Sequence, residues 1–142
     1  MVLSGAIAWG LAQAWPSAFI AVPSSLRLAM VAALAVLGLL LNLLPKFAFG
    51  RAGTTVNPLR PAASRALVTT GLLRLSRNPM YLGHALLLAA WACWLQHPLA
   101  LVGVPFYVAY VTRYQIVPEE RALAGLFGER YAAYRMRVRR WL

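Results

Sequence analysis

The chain has 142 residues, room for one domain, and is 61% hydrophobic and only 12% charged. That balance excludes an ordinary soluble domain and asks for a bilayer as part of the solvent. The net charge of +11 comes from fourteen Lys/Arg against three Glu. These cations flank apolar runs and build no aromatic-interleaved basic face, so the reading is positive-inside membrane topology and no nucleic acid.

Residues 1–26 carry no charged side chain. A cleaved signal peptide would have a basic n-region, so the expectation here is a first membrane helix at about 3–22, kinked at Pro16. Pro23, Ser24 and Ser25 make a short turn. "LAMVAALAVLGLLLNLL" then reads as a second span at 28–44, flanked by Arg27 and Lys46. Residues 46–77 hold Lys46, Arg51, Arg60, Arg65, Arg74 and Arg77 among Gly and Pro punctuation. They read as a cytoplasmic loop lying at the interface.

From Asn78 to Thr112 no Asp, Glu, Lys or Arg occurs. "QHP" at 96–98 divides this run into two short spans, 80–95 and 98–114, which form a helical hairpin. Each is about 24–26 Å long at 1.5 Å per residue. Cys93 lies within the run as the one cysteine, which leaves no intrachain disulfide, and with His84 and His97 it makes no metal-ligand pattern; no metal is expected.

The tail, 118–142, opens with Pro118, Glu119 and Glu120, a good helix start, and Phe127-Gly128 reads as a stop. Beyond it Tyr131, Tyr134, Val138 and Trp141 form one apolar stripe among five arginines. The expectation is a basic amphipathic helix lying on the membrane surface. The whole is read as an all-α, polytopic membrane domain spanning 1–142. It has about four transmembrane helices and an interfacial C-terminal helix, and both termini face the cytoplasm.

Two polar clusters stand at the ends of the last hairpin. "RNPMYLG" at 77–83 opens the third span, and Asn78 as cap, Pro79 in the first turn and Arg77 at the interface account for its start. They do not account for Tyr81 and Gly83. Glu119 and Glu120 follow the fourth span, where dipole compensation and pairing with Arg113 or Arg121 are the plain structural roles. The hairpin brings the clusters to one place, against apolar walls, where ionisable groups are expensive.

"LVTTGLLRLSRNPMYLG", followed about forty residues later by "EERALAGLFGERYAAYRMRVRRW", resembles the isoprenylcysteine carboxyl methyltransferase and phospholipid methyltransferase superfamily. The pattern is R-(H/N)-P-x-Y-x-G, a helical hairpin, then E-E-x-x-L-x-x-x-F-G-x-x-Y-x-x-Y, and it covers about residues 64–141. The resemblance implies an integral-membrane enzyme that uses S-adenosylmethionine without the soluble methyltransferase fold. Matched residue by residue, it puts cofactor contacts on Arg65, Ala66, Leu67, Val68, Leu73, Asn78, Pro79, Met80 and Tyr81. Gly83 would permit close backbone approach, and Glu119 would meet the cofactor from the far side of the hairpin.

Three positions depart from the isoprenylcysteine enzymes: Asn78 replaces His, Leu73 replaces Tyr, and Gln115 replaces an Arg assigned to the substrate. The last argues against a carboxylate acceptor. Arg113 and Gln115 are the substrate-side candidates. Glu119, Glu120 and His84 are the candidates for catalytic proton handling, His84 lying three residues after Tyr81 on nearly the same helix face. The acceptor is expected to be hydrophobic or lipid-like. Two other readings remain: a non-catalytic membrane or assembly protein that keeps the fold, and a nicotinamide-dependent membrane reductase.

Overall fold

The computed structural model describes residues 1–14, 22–53 and 66–142. Pro16, Arg60 and Arg65 therefore lie outside the described residues. The described residues are helical and contain no strand. The helices are α1 (Val2–Ala14), α2 (Ser24–Arg51), α3 (Pro79–Leu95), α4 (Pro98–Leu101), α5 (Gly103–Val111) and α6 (Val117–Arg137). A 3-10 turn, Gly71–Arg74, precedes α3, and a π turn, Thr112–Ile116, joins α5 to α6. The chain groups into two compact units, 1–40 with 83–110 and 41–82 with 111–142.

Helix α2 is long and apolar enough to cross a membrane. At 28 residues it extends about 42 Å. Leu26, Leu28, Met30, Val36, Leu37, Leu39, Leu40, Leu43, Leu44 and Phe47 are all exposed along it. So large an uncovered apolar surface matches lipid rather than water. Two shorter apolar helices, Val2–Ala14 and Pro79–Leu95, accompany it.

The sequence ended this span at residue 44, whereas α2 starts four residues earlier and runs through Pro45 to Arg51. The first part of the 46–77 loop is therefore helix. Pro45 forfeits one backbone bond, but Lys46 Nζ donates to Asn42 Oδ1 at 2.9 Å. That i,i+4 side-chain bond ties the turns on either side of the proline.

In the first unit α1 packs on α4. Ala8, Ala92 and Ala100 are fully buried together, with Leu95 against them. Small side chains let these helices approach closely. Trp91 Nε1 donates to the Gly5 carbonyl at 3.3 Å. Helix α2 meets α3 at Gly38, where an added Cβ would stand 2.9 Å from the Gly83 carbonyl oxygen and 3.0 Å from Leu87 Cγ. Gly38→Ala is expected to cost about 1–3 kcal/mol, the usual price of overpacking. Thermal melting in detergent checks it, and an unchanged midpoint would show that the backbones separate freely.

The turn at 96–98 is present, with Gln96 in the left-handed region at φ 52°. The expected 98–114 span is not one regular helix. It breaks at Val102, resumes as α5, widens into the π turn and continues as α6. In that turn the Val117 N–H bonds the Thr112 carbonyl, five residues back. Pro118, one residue on, has no N–H to give to the carbonyl four residues back.

In the second unit Tyr131, Tyr134 and Val138 are buried together, packed by Leu67, Leu123, Ala124 and Phe127. This corrects the reading of those aromatics as membrane anchors: the stripe is the core of this unit. Helix α6 ends at Arg137, and Val138 is extended. The stop read at Phe127-Gly128 is present: Gly128 adopts φ 47°, ψ −126°, so Val117–Arg137 is two helical stretches that meet at a kink there, in a conformation open essentially to glycine alone.

Candidate functional site

The site is built within the second unit, where the RNP motif at the start of α3 meets the paired glutamates at the start of α6. The Tyr81 hydroxyl donates to Glu119 Oε1 at 2.6 Å. Gln115 Nε2 donates to the same oxygen at 3.0 Å. The π turn sets Gln115 four residues before Glu119, one turn below it on the same side. Neither of these two donors reaches Oε2, and Glu119 forms no ion pair among the described residues. Burial pushes the Glu119 carboxyl above its ordinary range; the Tyr81 and Gln115 hydrogen bonds pull it down, and the neighbouring Glu120 charge adds to the rise.

Glu120 is different in kind. It is buried, with Arg77 at 2.8 Å on Oε1 and Arg140 at 2.7 Å on Oε2. Arg140 Nε also donates to Oε1 at 3.1 Å, which makes the Arg140 contact two-pronged. Burial alone would raise its pKa, but the Arg140 hydrogen bonds and the charges of Arg77, Arg140 and Arg135 outweigh it and hold the carboxyl below its usual range. A carboxylate so held is a poor proton acceptor, and Arg113 and Arg121, the partners expected from sequence, are not the ones it takes.

The chain beyond α6 folds back over the RNP motif. The Arg77 N–H donates to the Arg139 carbonyl at 3.0 Å. Asn78 Nδ2 donates to the Arg140 carbonyl at 3.0 Å, and Ser76 Oγ to the same oxygen at 3.3 Å. Ser76 Oγ also accepts the Asn78 N–H at 3.1 Å. Asn78 thus spends its amide on the chain itself. Tyr134, its phenol pushed up to about 12 by burial, donates its hydroxyl to the Leu73 carbonyl at 2.7 Å and pins the 3-10 turn.

Of the residues expected at the site, Tyr81, Gln115 and Glu119 meet directly, and Asn78 and Glu120 are linked through Arg140. Leu73 is 5% exposed and Leu67 packs on the tyrosine core, so both side chains serve packing. Ala66, Val68 and Met80 are half-buried, and Pro79 is buried. Arg113 is exposed, its guanidinium 5.9 Å from the Tyr114 ring. His84 and Gly83 fall in the first unit, where Gly83 lies against Gly38. Sequence reasoning missed Ser76, Arg139 and Arg140. Arg139 and Arg140 act through backbone carbonyls, which every residue possesses, while the Ser76 hydroxyl and the Arg140 guanidinium act through side chains that are common in this chain.

Residues 26–130 match the phospholipid methyltransferase family. The chain belongs to that family. The match takes in both clusters, and it extends the resemblance read from the motifs back through α2. The family lies within the isoprenylcysteine and phospholipid methyltransferase superfamily and is membrane-associated. The chain is also similar to an uncharacterized protein of Haemophilus influenzae, 43% identical over 63 residues, which are 44% of this chain and all of that protein. No solved structure matches the chain.

Proposed function

We propose that the chain is a membrane-embedded, S-adenosylmethionine-dependent methyltransferase whose acceptor is lipid-like. The observation that carries this is the Tyr81–Glu119 pair, which joins the two family motifs at 2.6 Å, with Tyr81 and Gln115 both donating to one carboxylate oxygen. Oε2 is left as an acceptor of negative character beside protein, a fit for the ammonium of the cofactor's amino-acid part. S-adenosylmethionine, when bound, supplies an electrophilic methyl group on a sulfonium.

The chain's own residues then have separable tasks. Glu119 holds a cation, and Tyr81 and Gln115 fix the carboxylate's direction. Glu120 serves as a positioning residue that anchors Arg77, and through it the start of α3. Methyl transfer of this kind is governed by alignment and exclusion of water, which a rigid frame favours.

The acceptor reading rests on Gln115 and on the surroundings. Gln115 stands where a carboxylate-binding Arg would be, and it donates to Glu119. The acceptor head is therefore an amine, thiol or phenol-like group. Apolar surface along α2 suits a chain-bearing molecule whose tail stays in lipid. The charge pattern puts both termini and the 46–77 segment in the cytoplasm, where the soluble cofactor is. The 23–27 and 96–98 turns, both assigned to the opposite face, are hydrogen-bonded to each other through Arg27 and Gln96, which supports that assignment.

Radiolabelled methyl transfer by the purified protein, to long-chain acceptors and to their short soluble analogues, tests the proposal. Label is expected in the long-chain acceptors, with S-adenosylmethionine bound and NADPH not. Equal transfer to the soluble analogues would sink the lipid-like acceptor. No binding of S-adenosylmethionine would sink the activity as well.

A further inference from the structure

We infer that Arg27 and its surroundings form a binding site for the phosphate of an anionic phospholipid, built wholly within the first unit and separate from the Tyr81–Glu119 pair. Arg27 sits in the first turn of α2, at the positive end of its dipole. It is half-buried, its Nη1 donates to Gln96 Oε1 at 2.5 Å, and its guanidinium lies 5.1 Å from the Trp94 ring centroid. Its Nε is buried and donates to no group among the described residues.

The charge balance around this arginine is one-sided. The three acidic residues of the chain are Glu119, Glu120 and Glu129, and the first unit, 1–40 with 83–110, contains none of them. No side chain of that unit can serve as its counter-ion. A half-buried guanidinium beside apolar surface calls for one, and its planar fork of donors matches phosphate oxygens.

Beside Arg27 lies a cavity of about 120 Å³, lined by Val22, Met30, Cys93, Gln96 and His97 among others. The polar groups are gathered round the arginine and the rest of the lining is apolar. Gln96 is held rigidly for its part: its Nε2 donates to the Val22 carbonyl at 3.2 Å, and its backbone is in the left-handed region, an uncommon place for a side-chain-bearing residue. Leu26, Leu28, Met30, Val36 and Leu37 are exposed on the same helix and offer a track for acyl chains leading away from the headgroup. Phosphate at Arg27 with tails along α2 satisfies the charge and the apolar surface together, whereas free phosphate satisfies only the first.

The test uses the full chain, purified and delipidated in a mild detergent, and native mass spectrometry with phosphatidylglycerol, phosphatidylcholine or inorganic phosphate. One phosphatidylglycerol is expected to be held at least tenfold more tightly than phosphatidylcholine. Arg27→Gln is expected to remove that preference, while Arg130→Gln, on the exposed tail, leaves it. Arg27→Lys keeps the charge without the fork and should retain lipid at reduced affinity, which guards against misfolding of the Gln variant. Equal retention of the two lipids by the unmodified protein would overturn the proposal. So would an unchanged preference in Arg27→Gln, or displacement of the lipid by inorganic phosphate at equal concentration, which would mark a site for free anions.

Discussion

Glu119→Gln is expected to weaken S-adenosylmethionine binding more than tenfold, a loss of about 1.4 kcal/mol or more, without lowering the melting temperature at neutral pH. Two properties of the carboxylate combine here. As a ligand it offers Oε2 and a charge, and Gln removes the charge. As a part of the fold it is a partly buried acid whose pKa is raised. A raised folded-state pKa means that its contribution to stability is fully present below the unfolded value and is lost as pH rises through the folded one. At neutral pH the ionised carboxylate is therefore a burden on the fold, and a neutral side chain of the same shape relieves it. Tyr81→Ala is expected to weaken binding to a similar extent by freeing the carboxylate to turn. Calorimetric titration and melting, run on the same preparations, check both halves. Unchanged affinity in both variants would refute the site, and a sharp loss of stability in Glu119→Gln would refute the electrostatic account.

Its neighbour has the opposite sign. Glu120→Gln is expected to destabilise the fold by about 3–5 kcal/mol, because it strips a buried pair of its carboxylate and leaves guanidinium charge behind. Arg77 is the costly one, its side chain 9% exposed, while Arg140 is 35% exposed and can reach water. The expected fall in melting temperature is on the order of 10 °C. The Glu120 pKa is lowered, so its contribution is present above the ordinary carboxylate value and disappears as pH falls through the depressed one. Unmodified protein should therefore lose stability steeply at acid pH, below about 4, and the variant should show a flatter acid limb. Identical pH profiles would mean that the ion pairs do not hold the fold.

The two predictions show where the sequence could be read and where it could not. The meeting of RNPMYLG with the glutamate pair was legible, because Tyr81 and Glu119 carry distinctive side chains at fixed distances from a charge-free hairpin. The partners of Glu120 were not. Arginine is abundant in this chain, and nothing local separates Arg140 from Arg121, one residue away from Glu120. The apolar stripe Tyr131, Tyr134 and Val138 was legible as a stripe but not as a core, since a bilayer and a protein interior select the same side chains. The break at Gly128 was legible from the glycine itself, whereas the break at Val102 and the π turn before Pro118 depend on backbone geometry that residue types constrain only where proline or glycine is involved.

The closure of the RNP motif by carbonyls of Arg139 and Arg140 bears on when this region is completed. The Asn78 amide waits for an acceptor 62 residues further along the chain. At a synthesis rate of roughly 5–20 residues per second that interval is about 3–12 s, and the Arg77–Glu120–Arg140 bridge is incomplete throughout it. Helix α2, the stretch long and apolar enough to cross a membrane, is already made by then, while the start of α3 remains unclamped. The frame around the RNP motif is thus completed only once residue 140 has been made, well after the start of α3 that it clamps.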